Sequence, residues 1–255
     1  MARRPRLDIA GFHHIVNRGV DRNSVFKSSE DKDKFLEILC KAAKEYYVDI
    51  HDYCLMDNHY HLLAFFNRNN LSLFMRQINS NWAIYFNKKY KRNGHLWQGR
   101  FKSWYVFDEK YLYTLFRYIE HNPIEAKISS KAGEYSYTLL HNILNKKSVI
   151  KCAKNSLLIK ELKYLDALLQ IELTKNDLEK IKELQSQKID IEESKVVFKK
   201  SKPLSKHFEG IKTKEERNLN IIEAIKDGYT QSEIAKYLKL TPTAISKVKK
   251  KYEEE

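Results

Sequence analysis

Apolar positions along the first half of the chain change period several times, and each change marks an element. Residues 12–18, Phe-His-His-Ile-Val-Asn-Arg, read as a strand. Residues 30–47 carry apolar side chains near every 3.6 positions and predict a helix. Two aromatic and aliphatic runs, 49–56 and 59–66, flank Asp57-Asn58, a pair that tolerates positive φ and suits a two-residue hairpin turn. Residues 70–90 are a second long amphipathic stretch, and 94–107 read as loop plus strand. A third helix spans 108–122, where Pro123 disfavours helical geometry in the residue before it. Strand–helix–strand–strand–helix–strand plus a further helix predicts an α+β, ferredoxin-like (RRM-like) antiparallel sheet with helices on one face.

Beyond residue 145 the pattern becomes helical and charged. Leu157, Leu158, Leu162, Leu165 and Leu169, then Leu178, Ile181 and Leu184, recur at helical spacing, and the region closes on the basic stretch Lys199-Lys200-Ser201-Lys202-Pro203. The last 43 residues carry explicit start and stop signals. A helix over 214–226 stops at Asp227-Gly228; Thr230 and Glu233 form a capping box; Thr241-Pro242 supplies an N-cap with proline at the first helical position. Two short helices joined by a tight turn behind a supporting helix predict a helix-turn-helix. The buried side takes Ile234, Ala235, Leu238, Leu240, Ile245 and Val248; Thr243, Ser246, Lys247, Lys249 and Lys250 stay on exposed faces. The expected organisation is a first domain over 1–145, a charged helical linker over 146–212 and a helix-turn-helix domain over 213–255.

Composition narrows the partners. With 47 Lys+Arg against 33 Asp+Glu, the 255-residue chain carries a formal charge of +14, which suits a polyanion such as nucleic acid. Hydrophobic residues at 42% are enough to build a core, which excludes global disorder. No apolar run reaches membrane-spanning length, and the start MARRPRLDIAGFHH lacks the apolar core of a secretory signal. Cys40, Cys54 and Cys152 form no CxxC pair, so the expectation is a cytoplasmic protein with neither disulfide scaffold nor zinc ribbon.

Two constellations carry chemistry. In His59-Tyr60-His61, on a strand, both imidazoles share a face and can hold one divalent cation with positions left open; the alternative is a pair of histidines satisfied by backbone groups. In Arg117-Tyr118-Ile119-Glu120-His121-Asn122-Pro123, Tyr118 and Asn122 are neighbours on one helical face. A tyrosine hydroxyl can attack phosphorus if its high pKa is offset, and Asn122 offers a further oxygen; the alternative is a core tyrosine and a capping asparagine. Tyr111, seven residues earlier, is the rival nucleophile but lacks such a partner.

Three segments in order complete the reading: Asp52-Tyr53-Cys54-Leu55-Met56-Asp57-Asn58-His59-Tyr60-His61-Leu62-Leu63, then Trp97-Gln98-Gly99-Arg100-Phe101-Lys102-Ser103, then 117–126 with Tyr118 and Asn122-Pro123. Over about residues 8 to 130 the chain resembles the REP-associated, single-tyrosine HUH transposases of bacteria. The resemblance implies a ferredoxin-like core, Mg²⁺ or Mn²⁺ held by His59 and His61 with Asn122 as third ligand, and Tyr118 as the nucleophile that cuts single-stranded, hairpin-associated DNA. It further implies a 5′-phosphotyrosine link and a released 3′-hydroxyl that can attack back. Asn17, Arg18, Arg100 and Lys102 are candidates for phosphate contacts. Thr243, Ser246, Lys247 and Lys250 are candidates for duplex contacts through the C-terminal helices. Tyr60, at a position usually held by a bulky hydrophobe, and Asp57, where relatives often have proline, depart from the pattern. The alternative function is a catalytically inactive, sequence-specific DNA-binding regulator. Whether a homodimer completes the site stays open, since related transposases can exchange the tyrosine helix between subunits.

Overall fold

A computed structural model of the chain describes residues 8–147, 149–186, 188–192, 195–199 and 202–253. Most of the basic opening, residues 200–201 of the basic stretch and residues 254–255 of the acidic end lie outside these. Of the described residues, those from 8 to 185 form one compact unit and those from 186 to 253 a second.

The first unit is built on β1 (Gly11–Arg18), α1 (Ser29–Tyr46), β2 (Val48–Met56), β3 (His59–Phe66), α2 (Leu71–Lys89) and β4 (Lys102–Tyr105). The strands pair antiparallel in the order β2-β3-β1-β4, the ferredoxin-like arrangement. Local chemistry sets the boundaries. The Ser28 hydroxyl accepts from the Asp31 backbone N–H, and Asp31 Oδ2 accepts from the Lys27 N–H at 2.7 Å, which starts α1. Tyr47, in left-handed geometry at φ 57°, ends it. Asp57 and Asn58 make the expected turn between β2 and β3. Phe35 of α1 and Trp82 of α2 meet edge-to-face at 5.6 Å, and Phe35 lies 4.9 Å from Tyr60 of β3, so α1 and α2 cover one face of the sheet.

The other face is covered as well, which corrects the expectation of helices on one face only. Helix α3 (Glu109–Glu120) lies across it, with Tyr118 beside His61 of β3 and Glu120 against Asp52 of β2. In β2 and β3 every residue is buried except Asp49, His59 and Phe65. Strands sandwiched between two layers lose polar alternation, and the unbroken apolar character of 49–56 and 59–66 is its trace in the sequence.

The chain continues through α4 (Asn122–Glu125), α5 (Leu139–Leu144), α6 (Leu157–Lys160), α7 (Leu162–Leu169) and α8 (Lys175–Ser186). Pro123 sits in the first turn of α4 instead of ending helical structure outright. The stretch expected to begin a linker packs into the first unit: Leu158, Leu165, Leu169 and Ile181 join its core. Arg117 of α3 donates to the carbonyls of Ile171 at 3.2 Å and Glu172 at 2.7 Å, and His121 Nε2 donates to the Leu169 carbonyl at 2.6 Å. The boundary therefore falls near residue 185 and not near 145. The expectation of no disulfide is also corrected. Cys40 of α1 and Cys152 are bonded, with Cα atoms 5.0 Å apart, because the turn before α6 folds back on α1; Cys54 is free and buried. A separation of 112 residues carries no spacing signal.

The second unit holds a hairpin of β5 (Lys188–Glu192) and β6 (Lys195–Lys199), then α9 (Leu204–His207), α10 (Lys214–Lys226), α11 (Gln231–Leu238) and α12 (Pro242–Glu253). Thr213 with Glu216 and Thr230 with Glu233 form complete capping boxes. Ile221, Ala224, Ile234, Ala235 and Ile245 make its small core, with Leu238, Leu240 and Val248 packed against it. Among the described residues, no helix is long and apolar enough to cross a membrane.

Candidate active site

Strand register determines which side chains meet. Val16 lies opposite His61 and Arg18 opposite His59 across β1 and β3, while Lys102 and Trp104 of β4 lie opposite Val16 and His14. Paired residues and every second residue share a face, so His14, Arg18, His59, His61, Lys102 and Trp104 all look toward α3. Tyr118 comes down from that helix. Its ring is 5.6 Å from His61 and 5.8 Å from His14, edge-on to both, and the His59 and His61 rings are 5.1 Å apart. These side chains, with Gln98, Arg100, Asn122 and Gln185, line a cleft of about 290 Å³.

Burial makes the histidines neutral. It lowers His59 to about 4, helped by the Arg18 charge and opposed by a hydrogen bond to Asn122. It lowers His14 to about 3. His61 lies well below the usual imidazole range through burial first, then through His14, His59 and Arg18. Neutral rings present lone pairs. Burial raises the Tyr118 phenol; Arg18 acts in the opposite direction and Glu125 adds to the rise. The phenol therefore keeps its proton at neutral pH, and Arg18, Arg100 and Lys102 line the cleft with it.

The donor set fits a divalent cation. His59 Nδ1 donates to Asn58 Oδ1 at 2.6 Å, which directs its Nε2 lone pair away from that bond. Asn122 Nδ2 donates to the Tyr118 carbonyl at 2.7 Å while its side chain also touches the His59 ring, which leaves the carboxamide oxygen as its ligand atom. Among the described residues no group of three or more His, Cys, Asp and Glu forms a metal cage. The candidate set is instead two imidazoles and one amide oxygen, with room for substrate oxygens.

The structure thus brings His59, His61, Tyr118, Asn122, Arg18, Arg100 and Lys102 to one cleft. Asn17 lines the same cleft. It is 4% exposed; its Nδ2 donates to Asn79 Oδ1 at 3.1 Å and its Oδ1 accepts from the Arg18 N–H, so it buttresses β1 against α2. Tyr111 is buried and does not line the cleft, in contrast to Tyr118. His13 is buried with Nε2 donating to the Ile9 carbonyl, and His121 is committed to Leu169. Sequence reasoning passed over His14, Trp104 and Gln185. The first two were within reach, because they share the parity of Val16 and Lys102 on their strands; nothing in the sequence places Gln185 beside β1. In the second unit, Thr243, Lys247 and Lys250 are exposed along α12 and Ser246 is half-buried.

The ferredoxin-like sheet thus presents histidines, a helix-borne tyrosine and a ring of cations to one cleft. Residues 11–122 match the model of the IS200-like transposases. Among solved structures, the chain is similar to a REP-associated tyrosine transposase bound to a REP hairpin: 15% identity, TM-score 0.49, 57% of this chain and 86% of that one. It is also similar to a presumed transposase from Deinococcus radiodurans R1, at 18% identity and TM-score 0.34, covering 48% of this chain and 97% of that one. No curated protein matches the chain.

Proposed function

We propose that the chain is a metal-dependent DNA strand transferase of the REP-associated kind, which cuts and rejoins single-stranded, hairpin-associated DNA through a 5′-phosphotyrosine on Tyr118. The observation that carries this reading is the approach of the Tyr118 ring to within 5.6 Å of His61 inside one chain, in a cleft also lined by Arg18, Arg100 and Lys102. A divalent cation held by His59, His61 and Asn122 would neutralise charge on the scissile phosphate and ease loss of the phenol proton. Tyr118 Oη then attacks phosphorus in line, the bond to the 3′-oxygen breaks, and that oxygen leaves as a hydroxyl with a proton. The reverse attack rejoins a strand without external energy, because one phosphodiester replaces another. Arg18, Arg100 and Lys102 hold the backbone, and the half-buried Trp104 indole offers an unpaired base a stacking surface.

Helices α10–α12 act as a helix-turn-helix that holds duplex DNA, with Thr243, Ser246, Lys247 and Lys250 on the helix that enters the major groove. Incubation of the protein with labelled hairpin oligonucleotides and Mn²⁺, followed by a denaturing gel, tests the reading. Wild type should give a covalent protein–DNA band, Tyr118→Phe none, and Tyr111→Phe a normal one. Tight DNA binding by wild type with no covalent band would instead favour the inactive DNA-binding regulator.

A further inference from the structure

His14 has no part in the chemistry above, yet it makes a direct contact with a candidate ligand. It is fully buried on β1, and its Nε2 lies 3.0 Å from Nδ1 of His61. Its ring is held on several sides: stacked on His61 at 5.3 Å, against the Trp104 indole at 5.4 Å and edge-on to Tyr118. A neutral imidazole has one N–H and one lone pair, so a single proton occupies the bond between the two rings. If His14 carries it, His61 Nδ1 is the acceptor and His61 Nε2 must bear the other proton, which blocks that nitrogen as a ligand. If His61 Nδ1 carries it, the Nε2 lone pair faces the cleft. The second arrangement requires His14 Nδ1–H to find an acceptor. Gln185 of α8 approaches that atom through its Nε2 at 3.5 Å, the outer limit of a hydrogen bond, and a half-turn of the amide presents Oε1 there as the acceptor.

We propose that His14 is a positioning residue: by accepting the Nδ1–H of His61 it fixes the tautomer whose Nε2 lone pair is available in the cleft. The inference rests on the proposed function for the identity of the ligand, though not for the hydrogen bond. Without His14, the buried Nδ1–H of His61 loses its acceptor, and the proton moves to Nε2, where water in the cleft satisfies it.

The test uses the full chain with ¹⁵N-labelled histidine. In metal-free wild type, two-bond ¹H–¹⁵N spectra should show His61 protonated at Nδ1; in His14→Phe they should show it protonated at Nε2. Mn²⁺ affinity should fall 10- to 100-fold in His14→Phe, while binding of single-stranded DNA in chelator stays at the wild-type level. His14→Gln, whose carboxamide oxygen reaches toward the place of the lost Nε2, should restore most of the affinity and guards against a folding defect in the phenylalanine variant. His61 protonated at Nε2 in wild type, or an unchanged tautomer in His14→Phe, overturns the inference. The expected tautomers in a wild type that binds no Mn²⁺ would uphold it and count against the metal in the proposed function.

Discussion

Replacing Glu120 by glutamine should change how the stability of the chain depends on pH. Glu120, at the end of α3, and Asp52, on β2, are 1% and 0% exposed. Glu120 Oε1 accepts from the Leu140 N–H at 2.9 Å and Asp52 Oδ1 from the Tyr53 N–H at 2.8 Å; the Glu120 carboxyl also bonds the Thr138 side chain and meets the Asp52 carboxyl. Two carboxyls in that position share a proton. Burial raises both, Asp52 well above its usual range and Glu120 from 4.5 to about 7. Because the folded pair holds its proton to higher pH than the unfolded chain, its contribution is complete below pH 4.5 and is lost as pH rises through about 7. For Glu120 alone the loss is about 3 kcal/mol, at 1.36 kcal/mol per pH decade. The buried histidines act in the opposite sense. His13, His14, His51 and His59 stay neutral in the fold while the unfolded chain binds their protons below pH 6.5, so they raise stability as pH climbs from about 4 to 6.5. They are common to wild type and variant and cancel in the difference. Urea or thermal unfolding at pH 5, 6, 7 and 8 should therefore find the advantage of Glu120→Gln over wild type growing by about 3 kcal/mol, or about 6–12 °C for a unit of this size. A gap that stays constant across this range would refute the shared proton. The pair seats α3 on β2 two residues beyond Tyr118.

Other consequences are more local. Asn58→Ala removes the acceptor of His59 Nδ1–H and should weaken Mn²⁺ binding by about 10- to 100-fold, measured by electron paramagnetic resonance. Arg100→Ala and Lys102→Ala should each lower the slope of log affinity against log salt for single-stranded DNA by about 0.7; an unchanged slope would remove that residue from the phosphate contacts. Cys152→Ser opens a link between residues 112 apart and should lower the unfolding free energy by up to about 5 kcal/mol, whereas equal urea midpoints with the oxidised wild type would contradict a stabilising bond.

What the sequence makes legible is whatever short-range rules govern. The 3.6 and 2.0 periods place the strands and helices of the sheet to within a residue or two, and the Thr230–Glu233 and Thr241-Pro242 signals mark helix starts that the fold adopts. His59 and His61 are read as one-faced because strand parity is a local property. Contacts between distant segments escape such rules. Nothing near Arg117 or His121 announces that their partners are carbonyls at 169–172, and so helices α6–α8 read as a linker. Cys40 and Cys152 meet only because the turn before α6 returns to α1. Nothing near Asn17 announces that α2 supplies Asn79 as a partner. Coverage of the second sheet face lay in between: the apolar runs of β2 and β3 encode it, but one-sided packing is the simpler reading of a ferredoxin-like order.

The most direct test of the account is to locate the covalent bond. Trypsin should release residues 118–127 as a peptide whose single tyrosine is Tyr118, with Tyr111 and Tyr113 in the preceding peptide. After reaction with a hairpin oligonucleotide and Mn²⁺, followed by nuclease and trypsin digestion, mass spectrometry should find the 118–127 peptide carrying a nucleotide through its 5′-phosphate. Nucleotide on any other peptide, or DNA cleaved with no protein-linked phosphate at all, would contradict Tyr118 as the attacking group.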